Sequence, residues 1–188
     1  GTGTVAGTGV ALDAATGIGT GTGARIATTA TTLAARTTTS GGVFVSESDG
    51  VSLTTVDTVT NSTNANGEHN VTVAGATTVD TAYGANGTGD TRLTTTAGNV
   101  TVNQGVGSAT NTITRITSAG NITGAGTVAG AGVALDSATG VGVDATTRVA
   151  TTATTLAARS RTSGGVFVSE SDGVSLTTVD TVTNSTNA

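Results

Sequence analysis

The sequence predicts an all-β chain wound into a parallel β-helix (β-solenoid), with coils of about 20–25 residues inside a 123-residue tandem repeat. Three observations predict it. The stretch from Thr39 to Thr60 returns residue for residue between Thr162 and Thr183. Short apolar pairs, Val43/Val45, Val51/Leu53, Val71/Val73 and Val100/Val102, put two side chains on one side of an extended chain. The first apolar residues of such runs fall at 51, 71, 100, 122 and 133, a spacing that clusters near one solenoid coil.

Composition narrows the core. Threonine supplies 47 of the 188 residues and glycine 29, with no Pro, Cys, Met, Trp or Lys. The bulk of the apolar supply is therefore Val and Ala, with Phe44, Phe167 and Tyr83 the sole aromatics, which fits a narrow core of small side chains. At 35% hydrophobic and 10% charged the chain is not of the disordered class. A net charge of −5 without lysine offers no patch to neutralise phosphates, which argues against nucleic-acid partners and anionic membrane surfaces. No apolar run reaches the roughly eighteen residues of a membrane-spanning helix, so membrane insertion is not expected.

Residues 1–65 align with 124–188 without a gap, and 12 of the 65 pairs differ. We therefore read 1–123 as a first repeat unit and 124–188 as the first half of a second, continuous with it and part of a longer array. Most differences lie between 14 and 26, as expected of a turn facing solvent.

Within the unit, residues 1–38 carry the weakest strand signal, with Gly alternating with Thr, Val and Ala. Leu33-Ala34-Ala35-Arg36 has helical character, but the threonine pairs before it and the missing cap favour strand. Val43, Val45, Val51, Leu53, Val71, Val73, Val100, Val102 and Ile122 are expected to point inward. From 51 to 60 the apolar positions change parity, which predicts bends near Thr54-Thr55 and Asp57-Thr58. The polar run 61–70 and the stretch 83–90 read as surface loops. Asn70, Asn99 and Asn121 precede inward residues and suit left-handed corners or coil-to-coil ladders better than glycosylation, although six sequons occur.

None of these residues builds a catalytic constellation, and no enzyme is expected. His69 is the single histidine and reads as a solvated loop residue rather than a general base. Glu47 and Asp49 form the densest carboxylate pair, pointing the same way but with no aromatic pocket around them. Gly-x-Gly-x-x-Ala matches at 1–6, 124–129 and 140–145 lack a following helix to hold a pyrophosphate. Calcium is the one ligand with weak candidates, Glu47, Asp49 and Asp90; no cofactor is otherwise implied.

Ala97-Gly98-Asn99-Val100-Thr101-Val102 and Ser40-Gly41-Gly42-Val43-Phe44-Val45 resemble the Gly-Gly/Asn-Val-x-Val coils of filamentous-haemagglutinin-like bacterial surface proteins. The resemblance implies a right-handed parallel β-helix that is secreted, rod-forming and often adhesive. The expected function is a structural repeat of an extracellular filament or adhesin stalk at the cell surface. Its expected partner is itself, end to end and laterally through outward-facing Phe44 and Phe167, with a host or neighbouring cell surface or glycan beyond. The rival readings are a threonine-rich ice- or carbohydrate-binding solenoid, using Thr58-Val59-Thr60 or Thr112-Ile113-Thr114, and tandem Ig-like sandwiches.

Overall fold

A computed structural model describes residues 3–63 and 66–186; Asn64 and Ala65 of the expected loop 61–70 lie outside them. The described residues run as eighteen strands and no helix: β1 Thr4–Ala14, β2 Ile26–Thr37, β3 Val43–Glu47, β4 Val51–Leu53, β5 Asn61–Thr63, β6 His69–Val73, β7 Thr77–Val79, β8 Tyr83–Ala85, β9 Thr91–Thr95, β10 Val100–Val102, β11 Val106–Gly107, β12 Ile113–Ser118, β13 Asn121–Thr123, β14 Thr127–Ser137, β15 Gly140–Val141, β16 Val149–Ser160, β17 Val168–Glu170 and β18 Ser175–Leu176. Every pairing between strands is parallel. The fold is a β-solenoid, and the antiparallel pairing that Ig-like sandwiches require is not what joins these strands.

Stacking in fixed register builds three faces. Val45, Val71, Leu93, Ile116, Leu135 and Ala158 form one interior file. Val51, Thr77, Val100, Ile122 and Val141 form the second. Asn61, Tyr83, Val106, Val128 and Thr151 form the third. All nine side chains expected to point inward are buried, none more than 5% exposed.

Turn length varies more than expected, from the 19 residues between Ile26 and Val45 to the 26 between Val45 and Val71. Short turns run one long strand straight across a corner, as β2 and β14 do. Long turns eject the surplus as a hairpin, Val56 to Val59, where the parity break was read. Its central residues Asp57 and Thr58 sit at φ 45° and 67°, the two-residue turn geometry with positive φ at both positions.

Three expectations are corrected. Residues 4–14 and 26–37, the weakest strand signal, are among the longest strands; Ala, Gly and Thr complete the backbone ladder here but hide the alternation. The polar runs are not loops throughout, because Asn61–Thr63, His69 and Asn70, and Tyr83–Ala85 are strand residues, all buried except half-buried Ser62. The left-handed corners are held by glycine rather than asparagine: Gly41, Gly98 and Gly164 all have φ 76°, whereas Asn70, Asn99 and Asn121 have no positive φ. At one corner the backbones meet so closely that a Cβ on Gly67 would lie 2.0 Å from the Gly41 carbonyl oxygen, and one on Gly89 would lie 2.2 Å from that of Gly67. Asparagine does form one rung, with the Asn121 amide donating to Asn99 Oδ1 at 2.9 Å.

The bonds recur 123 residues on. Thr4 pairs with Ala27 and Thr127 with Ala150, and the strands keep that register to Asp13–Arg36 and Asp136–Arg159. The copies are not related by translation alone. The face of β3, β6, β9 and β12 continues through the second halves of β14 and β16 to β18. Strand β17, the repeat of β3, stacks instead on the first half of β16, in line with β5, β8, β11 and the first half of β14. One repeat therefore advances the rod and turns it by one face of three.

Stacking decides what each core residue contributes. Leu53 is fully buried beneath Val79, whereas its repeat Leu176 is 68% exposed. Leu53→Ala should cost about 2–5 kcal/mol in urea denaturation, and Leu176→Ala less than about 1 kcal/mol. Equal losses at the two positions would show that inter-turn burial does not set the stability.

Candidate functional site

The sequence left Asp13, Arg36, Arg92, Arg115, Asp136, Arg159, Arg161 and Asp180 unassigned, and the fold brings most of them into one outer network. Arg92, Arg115, Ala134 and Ala157 stack on successive turns because each occupies the outward position of its strand. Over this file lies the hairpin of the second unit, closed by reciprocal bonds between Val179 and Val182 at 3.0 and 2.9 Å. Val179 and Val182 bury themselves against Ala134 and Ala157, with Ile113 packed beside them, in a small apolar cluster outside the solenoid core. Gly132 makes the room, since a Cβ there would lie 3.1 Å from Val179 Cγ1.

The hairpin tip carries Asp180 back across the rod. Its carboxylate pairs with Arg92, and it accepts from Arg115 Nη1 at 2.8 Å through its backbone oxygen and 3.2 Å through Oδ2. Arg92 also meets Asp90 at 2.9 Å and Glu68 at 3.2 Å. Arg115 extends the chain to Asp136 at 3.3 Å, which takes Arg159 at 2.7 Å and Arg161 at 3.0 Å. Burial pushes the Asp180 carboxyl up, but the guanidiniums of Arg92 and Arg115 outweigh it and hold it below the usual carboxylate range. Asp136 is buried but Asp180 and the arginines are partly exposed, so at the hairpin tip the network fixes position more than it adds stability.

Inside the rod, several polar groups are tied down individually, although His69 Nδ1 and Thr77 Oγ1 are buried without a partner among the described residues. Glu47, 1% exposed, accepts from Thr28 Oγ1 at 2.7 Å and from the amides of Ala30 at 3.1 Å and Ser48 at 2.9 Å. Asn61 bridges the base of the first hairpin, accepting from the Ala35 amide at 3.1 Å and donating to the Leu33 and Thr54 carbonyls at 3.1 and 3.2 Å. Glu170 and Asn184 repeat both arrangements in the second unit. No family model, no curated protein and no solved structure matches this chain.

The residues singled out for chemistry lie apart. Glu47 points into the core while Asp49 sits exposed in the following turn, so the pair does not point the same way. Asp90 is engaged with Arg92 and accepts from the Ile113 amide at 3.1 Å. Among the described residues no three of His, Cys, Asp and Glu group as metal ligands, and the calcium candidates do not converge. Phe44 points outward between buried Val43 and Val45, as the alternation requires, but it is half-buried, its ring folded over Gly42. Phe167 repeats this on a different face, because the second unit is turned.

His69 is not solvated. It is fully buried, with its ring edge-on to Tyr83 at 4.5 Å and Nε2 3.2 Å from the Ala35 carbonyl oxygen. It shares parity with Val71 and Val73, which was the overlooked signal for an inward position. Tyr83 is buried too and reaches the Arg92 carbonyl through its hydroxyl at 2.7 Å. Burial lowers the His69 pKa to about 4 against a weaker opposing bond to Ala35, so the ring stays neutral near pH 7.

The unfolded chain therefore takes up a proton on His69 that the folded chain resists. The stability this residue supplies is complete above the ordinary pKa of 6.5 and is lost as pH falls through about 4. The loss should reach about 3 kcal/mol. Because carboxylates titrate equally in both proteins, His69→Leu should show a shallower fall in stability from pH 7 to 4; parallel profiles would refute the assignment.

Proposed function

We propose that this chain is a structural repeat of an extracellular filament or adhesin stalk, in the manner of the filamentous-haemagglutinin-like proteins its coils resemble. One observation carries the reading: the same inter-turn bonds recur at an offset of 123 residues along a continuous stack. A fold built this way lengthens by adding units, each burying the inner face of the last. Its working contacts are then with other rods, end to end through coil edges and laterally through the sides that carry Phe44 and Phe167, and with a host or neighbouring cell surface or glycan.

A carbohydrate-binding role has one observation in its favour. Ser52, Thr78, Thr101 and Thr123 stack in a single outward file of hydroxyls, at about 4.8 Å per turn. The triplets named for ice do not build a flat array: Thr58 lies at the hairpin tip and Thr114 is buried. A thermal-hysteresis measurement and a polysaccharide pull-down test this second reading.

Electron microscopy of the native assembly tests the first: uniform rods are expected, and strings of beads would exclude it. Replacing both Phe44 and Phe167 with Ser should leave single rods intact and abolish their bundling. Unchanged bundles would remove lateral packing through these residues.

A further inference from the structure

The two hairpins are identical in sequence and geometry but not in what lies beneath them. Asp57 and Thr58 have φ 45° and 67°, as do Asp180 and Thr181. In the second unit, Val179 and Val182 lie over Ala157 and Ala134, and Asp180 goes on to Arg115 and Arg92. In the first unit the matching file is Ala34 and Ala11, which the hairpin reaches through Val56, 3.2 Å from where a Cβ on Gly9 would stand. Beyond Ala11 the hairpin overhangs the edge of the stack. Asp57 is exposed, and its carboxylate has no hydrogen bond or ion pair among the described residues, whereas Asp180 holds two guanidiniums. Val56 is half-buried where Val179 is only 4% exposed.

We propose that the Val56–Val59 hairpin is the receiving half of a joint between repeat units. Its occupant is a second unit stacked ahead of β1, which slides its Ile113 edge under the valines and gives its Arg92 and Arg115 to Asp57. The argument is one of complementarity: the same hairpin is seen closed on that surface 123 residues later. The inference rests on the rod reading above and adds to it the residues by which one unit fixes the rotational setting of the next. Apolar stacking alone would accept neighbours turned by any of three faces, since each face presents small aliphatic side chains. The carboxylate meets two arginines in only one of them, and in the other settings it is left unpaired.

The test compares the 188-residue chain with a chain in which residues 1–123 are duplicated ahead of Gly1. Amide hydrogen exchange reads the two cross-hairpin bonds locally. In the 188-residue chain, Val56 and Val59 should exchange about tenfold faster than Val179 and Val182, and Asp180→Ala should erase the difference. In the extended chain, the hairpin next to the junction should slow to match the Val179–Val182 hairpin. Asp57→Ala at that junction, or Arg92→Gln with Arg115→Gln in the leading unit, should restore fast exchange, while Asp57→Ala in the original chain should change nothing. Small-angle scattering separates the two ways of failing. If the extended chain is not a longer single rod, the rod reading falls and the joint with it. A longer rod with unchanged exchange at the junction hairpin, or with exchange indifferent to Asp57, overturns the joint alone. Slowing of Val56 and Val59 by free arginine-rich peptide in the original chain, with none on extension, would assign the hairpin to a basic partner instead and equally overturn it.

Discussion

Inter-turn stacking is the constraint on which the rest depends, because no single turn of this chain can bury anything by itself. A turn contributes only a few aliphatic side chains to the interior, and these become a core only when the next turn covers them. Leu53 and Leu176 make the point within one molecule, since the same residue in the same local sequence is fully buried in one place and 68% exposed in the other. Hydrogen bonding follows the same rule: the buried carboxylate of Glu47 is satisfied by Thr28 and Ala30, both from the preceding turn. Desolvating that carboxylate is tolerable only because the stack delivers donors to it at a fixed register.

The backbone complies because glycine and threonine allow it. Where turns touch backbone to backbone, as at Gly41, Gly67 and Gly89, any side chain would force them apart. Where the turn is too long for its perimeter, the excess is folded outward into a hairpin rather than accommodated as a bulge, and Asn61 seals the gap left at its base. That hairpin is then free to cover the outer alanines of earlier turns. A surface file of Ala, which would otherwise be a plain stretch of solenoid wall, becomes a second and smaller apolar contact.

The fold was legible wherever valines alternate with polar residues between glycines, since a period of two and a turn signal suffice to set an inward face. It was not legible in Ile26–Thr37, where the inward positions are Thr28, Ala30, Leu33 and Ala35 and the outward Ala34 is buried as well, so that hydrophobicity carries no alternation. His69 and Tyr83 were illegible for a different reason: they lie in polar, glycine-rich runs whose composition points to the surface, although both sit at positions that stack on inward neighbours, Val43 and Asn61. The candidate site was the least legible part. A parity break at 51–60 announced the hairpin, but the partners of Asp180 lie 65 and 88 residues away, a distance fixed by how many turns the chain makes between them. Local sequence holds no record of that number.

The rotation of one face per repeat has a consequence for the outside of the rod. A motif that occurs once per unit does not form a stripe along one side; it climbs like a spiral stair and returns to the same side only after three units. Phe44 and Phe167 already stand on different sides. Rods that associated through such a motif would meet neighbours on all three sides, an arrangement suited to a hexagonal bundle and not to a flat ribbon.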